Sequence, residues 1–240
     1  MTGSSAADTV STLIDGVAAD SVSVLDRGLH FGDGLFETIA CLHGRPRLLS
    51  LHLERLAHGC RALGIAAPAS PTLRAEIESL AAAQERAIVK LIVTRGTAVV
   101  RGYAASGREQ ATRVAIRYPW PVEDTAWQQR GVGVRMAAMR LGESPALAGL
   151  KHCNRLEQIL ARSELGSAAA DEALLLSRSG RLVSGTMTNV FLVDGPARAP
   201  RVRTPAIDLC GVAGVMRRVV LREAARAGIE AMECELWPAD

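Results

Sequence analysis

The run Tyr118-Pro119-Trp120-Pro121-Val122-Glu123-Asp124 constrains the fold more than any other stretch of the 240 residues. Two prolines spaced by one residue lock φ, remove two backbone donors and push the residues before them into extended conformations. Regular structure breaks there. The chain on either side is long enough to bury a core of its own. The reading is a smaller N-terminal α/β domain over 1–118, a connector over 119–124 and a C-terminal domain over 125–240.

Both halves mix strand and helix signals, which gives a mixed α/β (α+β) class. In the first, Val10–Leu13 and the group Val22, Val24 and Leu25 read as short strands around an Asp15-Gly16 turn, with Ala87–Thr94 and Val114–Arg117 as further strands. Apolar residues at 48, 49, 51, 53, 56 and 63 give a helix with Ser50 as candidate N-cap, and Thr72–Glu85 gives another. In the second, Val132–Ala138 and Ala170–Leu176 read as strands, and Arg178-Ser179-Gly180-Arg181 as a tight turn. Leu156, Ile159 and Leu160 share one helical face, and glycines open a last helix between Gly211 and Leu221.

Composition narrows the function. Of 28 basic residues only two, Lys90 and Lys151, are lysines. Only an amine forms a Schiff base or sheds its proton near neutral pH, so a lysine retained amid arginines is a candidate for covalent chemistry. Lys151 stands between the apolar run Ala146–Leu150 and a helical pattern, where an ordinary helix-start lysine is the common reading. Lys90, inside a strand before Arg95-Gly96, is its rival, with an edge or outward-facing role expected. The scattered arginines, net charge of +3 and 3% aromatics supply neither a basic stripe nor stacking platforms, so no nucleic-acid partner is expected. Five widely spaced cysteines without a Cys-x-x-Cys pair argue against a disulfide framework or zinc site and for a reducing compartment. Met1–Asp8 has no signal-peptide pattern, and no run reaches the roughly 18 apolar residues of a membrane span. A soluble, cytoplasmic protein is expected.

Four more segments carry candidate chemistry. Asp26 to Ile39 holds three glycines within seven residues, without the spacing of a dinucleotide fingerprint or the lysine of a P-loop. Arg55 in His52-Leu53-Glu54-Arg55-Leu56 reads as a solvated helix residue or an inward phosphate clamp. Ser184-Gly185-Thr186-Met187-Thr188-Asn189 places hydroxyls and an amide between apolar strands, either as a bend satisfying its own backbone or as the wall of a polar pocket. Gly211 to Arg217 offers glycines and main-chain N–H groups to an anion. A lysine, an arginine and a phosphate-ready helix start together suggest pyridoxal 5′-phosphate.

These motifs occur in a known order. Phe31-Gly32-Asp33-Gly34-x-Phe36-Glu37-Thr38, His52-x-x-Arg55-Leu56, Lys151-x-x-Asn154-x-Leu156, Thr188-Asn189-Val190-Phe191 and Gly214-Val215-Met216-Arg217 resemble the fold-type IV pyridoxal-phosphate enzymes from about Val10 onward. That group includes branched-chain and D-amino-acid aminotransferases and 4-amino-4-deoxychorismate lyases. The run Lys151-His152-x-Asn154-Arg155-Leu156-Glu157-Gln158, with no tyrosine a few residues after the lysine, and the Gly-Val-Met-Arg helix start resemble the lyase branch.

The resemblance implies two α/β domains with the cofactor between them, a homodimer, and a lyase step of folate biosynthesis yielding 4-aminobenzoate and pyruvate. It implies that Lys151 holds the cofactor and is the catalytic base, and that Arg55 contacts the phosphate. The N–H groups of Val215 and Met216 complete the cradle, Val212 packs on the ring, and Thr188 and Asn189 lie beside it. Thr38 and Asn154 are candidates for orienting the lysine or substrate, Phe31, Asn154 and Arg155 are candidates for the substrate site, and Arg27 and Arg95 are alternatives to Arg155 for the substrate carboxylates, among which the sequence does not choose. Where the family usually has a glutamate for the pyridine nitrogen, this chain has Ser184, which can hydrogen-bond a neutral ring but cannot stabilise a charged one. A weaker electron sink suits an elimination driven by aromatisation better than transamination. The family also usually continues beyond Asp240 with another strand and a loop that reaches the cofactor. An aminotransferase on the same fold and a catalytically degenerate cofactor-binding protein are the alternative readings.

Overall fold

Along β3 (Gly34–Leu42) the side chains of Leu35, Glu37, Ile39 and Cys41 are buried while Phe36, Thr38 and Ala40 alternate to the other face. A strand with period-two burial needs a layer on its apolar side. The computed structural model describes residues 10–98, 100–121, 127–166, 170–196 and 198–240, and the chain divides into two compact units. One comprises residues 1–123 with Lys151–Asn154, the other 124–150 with 155–240. Of the expected connector, Val122, Glu123 and Asp124 lie outside the described residues, as does Met1–Asp8.

In the first unit, β1 (Ser11–Ile14) turns through Asp15-Gly16 into β2 (Val17–Ala18), and α1 (Arg27–Phe31) precedes β3. The short β4 (Arg45–Pro46) leads to α2 (Leu49–Leu63), α3 (Ser70–Ala81), β5 (Arg86–Thr94) and β6 (Arg113–Pro119). The strands form one antiparallel sheet in the order β2-β1-β6-β5-β3-β4. Helices α2 and α3 cover the buried face, with Leu53, Leu56 and Cys60 of α2 and Leu73, Ile77 and Leu80 of α3 in the core with Leu35, Ile39, Val89 and Leu91.

Three local expectations need correction. Val22, Val24 and Leu25 form no strand and are exposed, because the chain there runs towards α1 without a pairing partner in the sheet. Ser50 does not cap α2; Leu48, at φ 54°, is the cap residue, and Ser50 falls in the first turn. Lys90, expected at an edge or facing outward, is not at an edge, since β5 runs between β3 and β6, but it does lie on the sheet face away from the core, between buried Val89 and Leu91.

In the second unit, α4 (Trp127–Arg130) precedes β7 (Val134–Leu141), α5 (Leu156–Ser163), β8 (Glu172–Ser177) and β9 (Leu182–Gly185). β7 and β8 are parallel, and β9 closes that three-stranded sheet antiparallel to β8. A second sheet contains β10 (Leu192–Asp194), β11 (Arg201–Pro205) and β12 (Glu230–Cys234), with α6 (Val215–Arg226) connecting the parallel pair β11 and β12. Ala137, Leu141, Ala161, Leu165, Ala173, Leu175 and Val183 form one core cluster, and Leu176, Leu182 and Leu236 another. The expected apolar face of α5 is not packed in the chain: Leu156, Ile159 and Leu160 are 73%, 58% and 55% exposed. The helix is anchored instead by buried Ala161 and by Glu157, whose carboxylate accepts from Gly142 N. Among the described residues no helix is long and apolar enough to cross a membrane.

Candidate active site

Lys151 is placed by main-chain pairing. Phe36 N donates to Lys151 O at 2.9 Å, Cys153 N donates to Gly34 O at 2.9 Å, and Leu35 and His152 form an antiparallel bridge. That pairing is why Lys151–Asn154 belongs with the first unit, although the sequence reading put the lysine in the C-terminal domain. Residues opposite one another across a ladder share a face, so Lys151 lies with Phe36. Its Nζ is 4.4 Å from the Phe36 ring centroid, a cation–π distance. Thr38, two residues along the same face, pairs with Lys90, whose Nζ is 5.3 Å from that ring. Both lysines of the chain thus flank one aromatic ring, with the Thr38 hydroxyl on the same side of the strand.

Arg55 meets β3 from the helix side. Glu37, fully buried, accepts from Arg55 Nε at 2.8 Å and Nη2 at 2.5 Å and from His52 Nδ1 at 2.6 Å. Burial pushes the Glu37 carboxyl upward, but the His52 and Arg55 hydrogen bonds and charges outweigh it and hold the group below the usual carboxylate range. His52 and Arg55 lie three apart on α2, so one face presents both donors to one acid. Because Glu37 and Phe36 are neighbours on a strand, Arg55 and Lys151 are held by opposite faces of β3. Glu37 lies within the motif Phe31–Thr38, and the sequence alone gives it no role. A charged residue at an inward position of an alternating apolar strand was the available signal.

The other first-unit candidates have structural duties. Asn154 Nδ2 donates to Gly32 O at 3.2 Å, and Gly32, at φ 63°, ends α1. A Cβ at Gly32 would come within 2.4 Å of Asn154 Oδ1, so the glycine permits this tie. Phe31 packs at 5.4 Å from the Tyr103 ring with the Arg27 guanidinium 5.0 Å from its centroid. Asp33 binds Arg27 at 2.9 Å and Arg95 at 2.7 Å, and these arginines also donate to the carbonyls of Gly102 and Tyr103 and of Leu63 and Gly64. Arg27 and Arg95 are therefore engaged in holding loops rather than presented to a substrate carboxylate.

In the second unit, the polar segment after β9 is organised by a residue the sequence reading passed over. Glu172 accepts hydrogen bonds from Thr186 N and Oγ1, Met187 N and Thr188 Oγ1. Burial pushes the Glu172 carboxyl upward, but its hydrogen bonds outweigh that effect, so the group sits below its usual range. Thr188 is thus bonded to an acid, and Asn189 Nδ2 donates to Val212 O at 2.9 Å. Ser184 is buried and its hydroxyl donates to Gly185 O at 2.8 Å, so its oxygen is placed to accept rather than to donate to a neutral ring nitrogen as the sequence suggested.

Gly214 caps α6 without a side chain, leaving the N–H groups of Val215 and Met216 as the orphan donors of a helix start. Buried Arg217 ties that first turn to Pro205 O and Glu233. Gly149 bridges Val212, with Gly149 N donating to Gly211 O and Ala213 N to Gly149 O, two residues before Lys151. Arg155 Nη2 donates to Leu150 O.

The model of the amino-transferase class IV family matches residues 34–240. The aminodeoxychorismate lyase of Vibrio harveyi is 36% identical over 208 residues, 87% of this chain and 75% of that protein. A putative branched-chain-amino-acid aminotransferase of Methanocaldococcus jannaschii is 31% identical over 88% of this chain and 72% of its own length. The crystal structure of 4-amino-4-deoxychorismate lyase from Pseudomonas aeruginosa superposes with a TM-score of 0.83 at 42% identity, covering 95% of this chain and 82% of that one. On these matches the chain belongs to the class IV aminotransferase family and has the mixed α/β fold of its fold-type IV members.

Proposed function

We propose that the protein is a pyridoxal-phosphate-dependent carbon–oxygen lyase that converts 4-amino-4-deoxychorismate into 4-aminobenzoate and pyruvate, a step of folate biosynthesis. The observation that carries the reading is Lys151, fastened to β3 by main-chain hydrogen bonds with its amine against Phe36. Kinship with two lyases, at 36% and 42% identity, supports the choice of reaction. The donors fit the cofactor chemically: a primary amine for its aldehyde, and a guanidinium with orphan helix N–H groups for its phosphate.

In the first unit Lys151 Nζ would hold the cofactor, and Arg55, oriented by Glu37, would meet the phosphate. In the second, the N–H groups of Val215 and Met216 would donate to the phosphate, Val212 would pack against the ring, and Asn189, Thr188 and Ser184 would line its polar edge. Bound pyridoxal phosphate supplies an aldehyde that captures an amine and a ring that draws off electrons. Lys151 Nζ, once freed, takes the C4 proton of the substrate as general base. The electron pair left at C4 would enter the ring as the C3–O bond breaks, making the carbocycle aromatic, and the departing enolpyruvate would take up a proton to leave as pyruvate. Thr38, on the face shared with Phe36, would orient the lysine, and Asn154, Arg155 and Phe31 would position the substrate. The uncovered apolar row of α5 supports a homodimer, and five free cysteines fit a reducing cytoplasm.

The test supplies 4-amino-4-deoxychorismate and measures 4-aminobenzoate and pyruvate alongside amination of 2-oxo acids. Product with little keto-acid turnover is expected, and Lys151→Ala abolishes it together with the absorbance of retained cofactor. Keto-acid amination without 4-aminobenzoate would favour the aminotransferase reading, to which the 31% identical relative lends weight. Cofactor absorbance with neither product would leave a binding protein.

A further inference from the structure

Glu172 opens β8 and is 9% exposed. Its Oε1 accepts from Ala173 N at 2.9 Å, Thr186 N at 3.1 Å and Thr186 Oγ1 at 2.5 Å. Oε2 accepts from Met187 N at 3.4 Å and Thr188 Oγ1 at 3.1 Å, and Arg162 Nη1 stands 3.6 Å from Oε1. One carboxylate thereby fixes three consecutive residues, and the turn closes with Gly185 N donating to Thr188 O at 2.9 Å. The packing leaves no slack: a Cβ at Gly185 would fall 2.8 Å from Glu172 Oε2 and 2.2 Å from Thr188 Oγ1.

The residue after this turn is Asn189. Its Nδ2 holds Val212 O at 2.9 Å, and its Oδ1 lies 1.9 Å from where a Cβ on Gly214 would stand. Gly214 is the cap of α6. A continuous set of contacts runs from the acid through Thr186–Thr188 and Asn189 to the first turn of the helix.

We propose that Glu172 is a positioning residue that, through the turn 185–188, seats Asn189 against Val212 and Gly214 and so aims the N–H groups of Val215 and Met216 at the cofactor phosphate. This rests on the pyridoxal-phosphate reading above. Charge and acceptor count are both required of the residue. In a glutamine, either amide orientation turns an NH2 group towards a main-chain N–H, Ala173 and Thr186 on one side or Met187 on the other.

The experiment titrates the cofactor-free full chain with pyridoxal phosphate and, separately, with pyridoxal, which lacks the phosphate. It uses wild type, Glu172→Gln, Asn189→Ala and the double variant, with thermal melting to establish that each is folded. Glu172→Gln weakens pyridoxal phosphate about tenfold and pyridoxal less than about twofold, since the defect acts at the phosphate. The double variant binds no more than about twofold weaker than Asn189→Ala, because both changes break one path. Equal losses for the two ligands, or losses that multiply in the double variant, overturn the proposal. Should Glu172→Gln not fold, Gly185→Ala strains the same turn with the acid intact, and the absence of a phosphate-selective loss there overturns it equally. Wild type that binds neither ligand refutes the cofactor reading itself, and wild type that binds both alike refutes the phosphate role of α6.

Discussion

Among the described residues each unit buries one glutamate in a strand, and the two are satisfied in opposite ways. Glu37 is met by side chains of α2, the Arg55 guanidinium and the His52 ring, so it forms an ion pair across two elements. Glu172 is met mostly by main-chain N–H groups and threonine hydroxyls of a single turn, with a cation only at 3.6 Å. An ion pair orients a charge that has work to do elsewhere, whereas a cage of neutral dipoles shapes backbone. The difference teaches that a buried carboxylate tells little until its donors are known, because the same residue type serves a cation in one place and a loop in the other.

The comparison is broken most directly by Glu37→Ala. It removes the buried acid that both the Arg55 guanidinium and the His52 ring donate to, and costs about 3–5 kcal/mol by urea denaturation. Glu172→Ala should cost clearly less, and a result at or above the Glu37 value would erase the distinction. Glu172→Gln strands at least one main-chain donor and costs about 2 kcal/mol in the same measurement. Arg55→Lys keeps the charge but loses the two-point contact with Glu37, costing about 1.5 kcal/mol and weakening pyridoxal phosphate more than pyridoxal.

The smallest effect is in pH. Both carboxyls are held below their ordinary range on folding, so their stabilisation is complete above the unfolded value, about 4.3, and is lost as pH falls through the folded values. Denaturation midpoints should therefore drop below about pH 4.3, and less steeply in each glutamine variant. An unchanged slope in Glu37→Gln would mean that its ion pair does not respond to protonation as described.

In the first unit β1, β5 and β6 were legible as short β-rich runs at Val10–Leu13, Ala87–Thr94 and Val114–Arg117, whereas β2 and β4, two residues each, carry too little pattern to be read. Lys151 was legible through the scarcity of its residue type. The Glu37 and Arg55 partnership was not, since the partners are 18 residues apart and nothing local to either strand or helix records the other. Glu172 was hidden for the same reason, lying 14 to 16 residues from the turn it holds. β12 went unseen because Glu230–Cys234 reads as polar, its pairing with β11 being supplied through the backbone. The apolar row of α5 misled in the other direction: helical spacing predicts a face, and what covers that face is a matter of assembly.

The pairing of Lys151–Cys153 with Gly34–Phe36 has a consequence for how this protein can vary. The amine owes its direction to a count along the chain, measured from the bridge at His152, rather than to its neighbours' chemistry. Substitutions at His152 or Cys153 preserve that count, whereas removing or adding a single residue between Leu150 and Asn154 would turn an imidazole or a peptide towards Phe36 in place of the amine. Indels should be purged from this tripeptide far more strictly than point changes are.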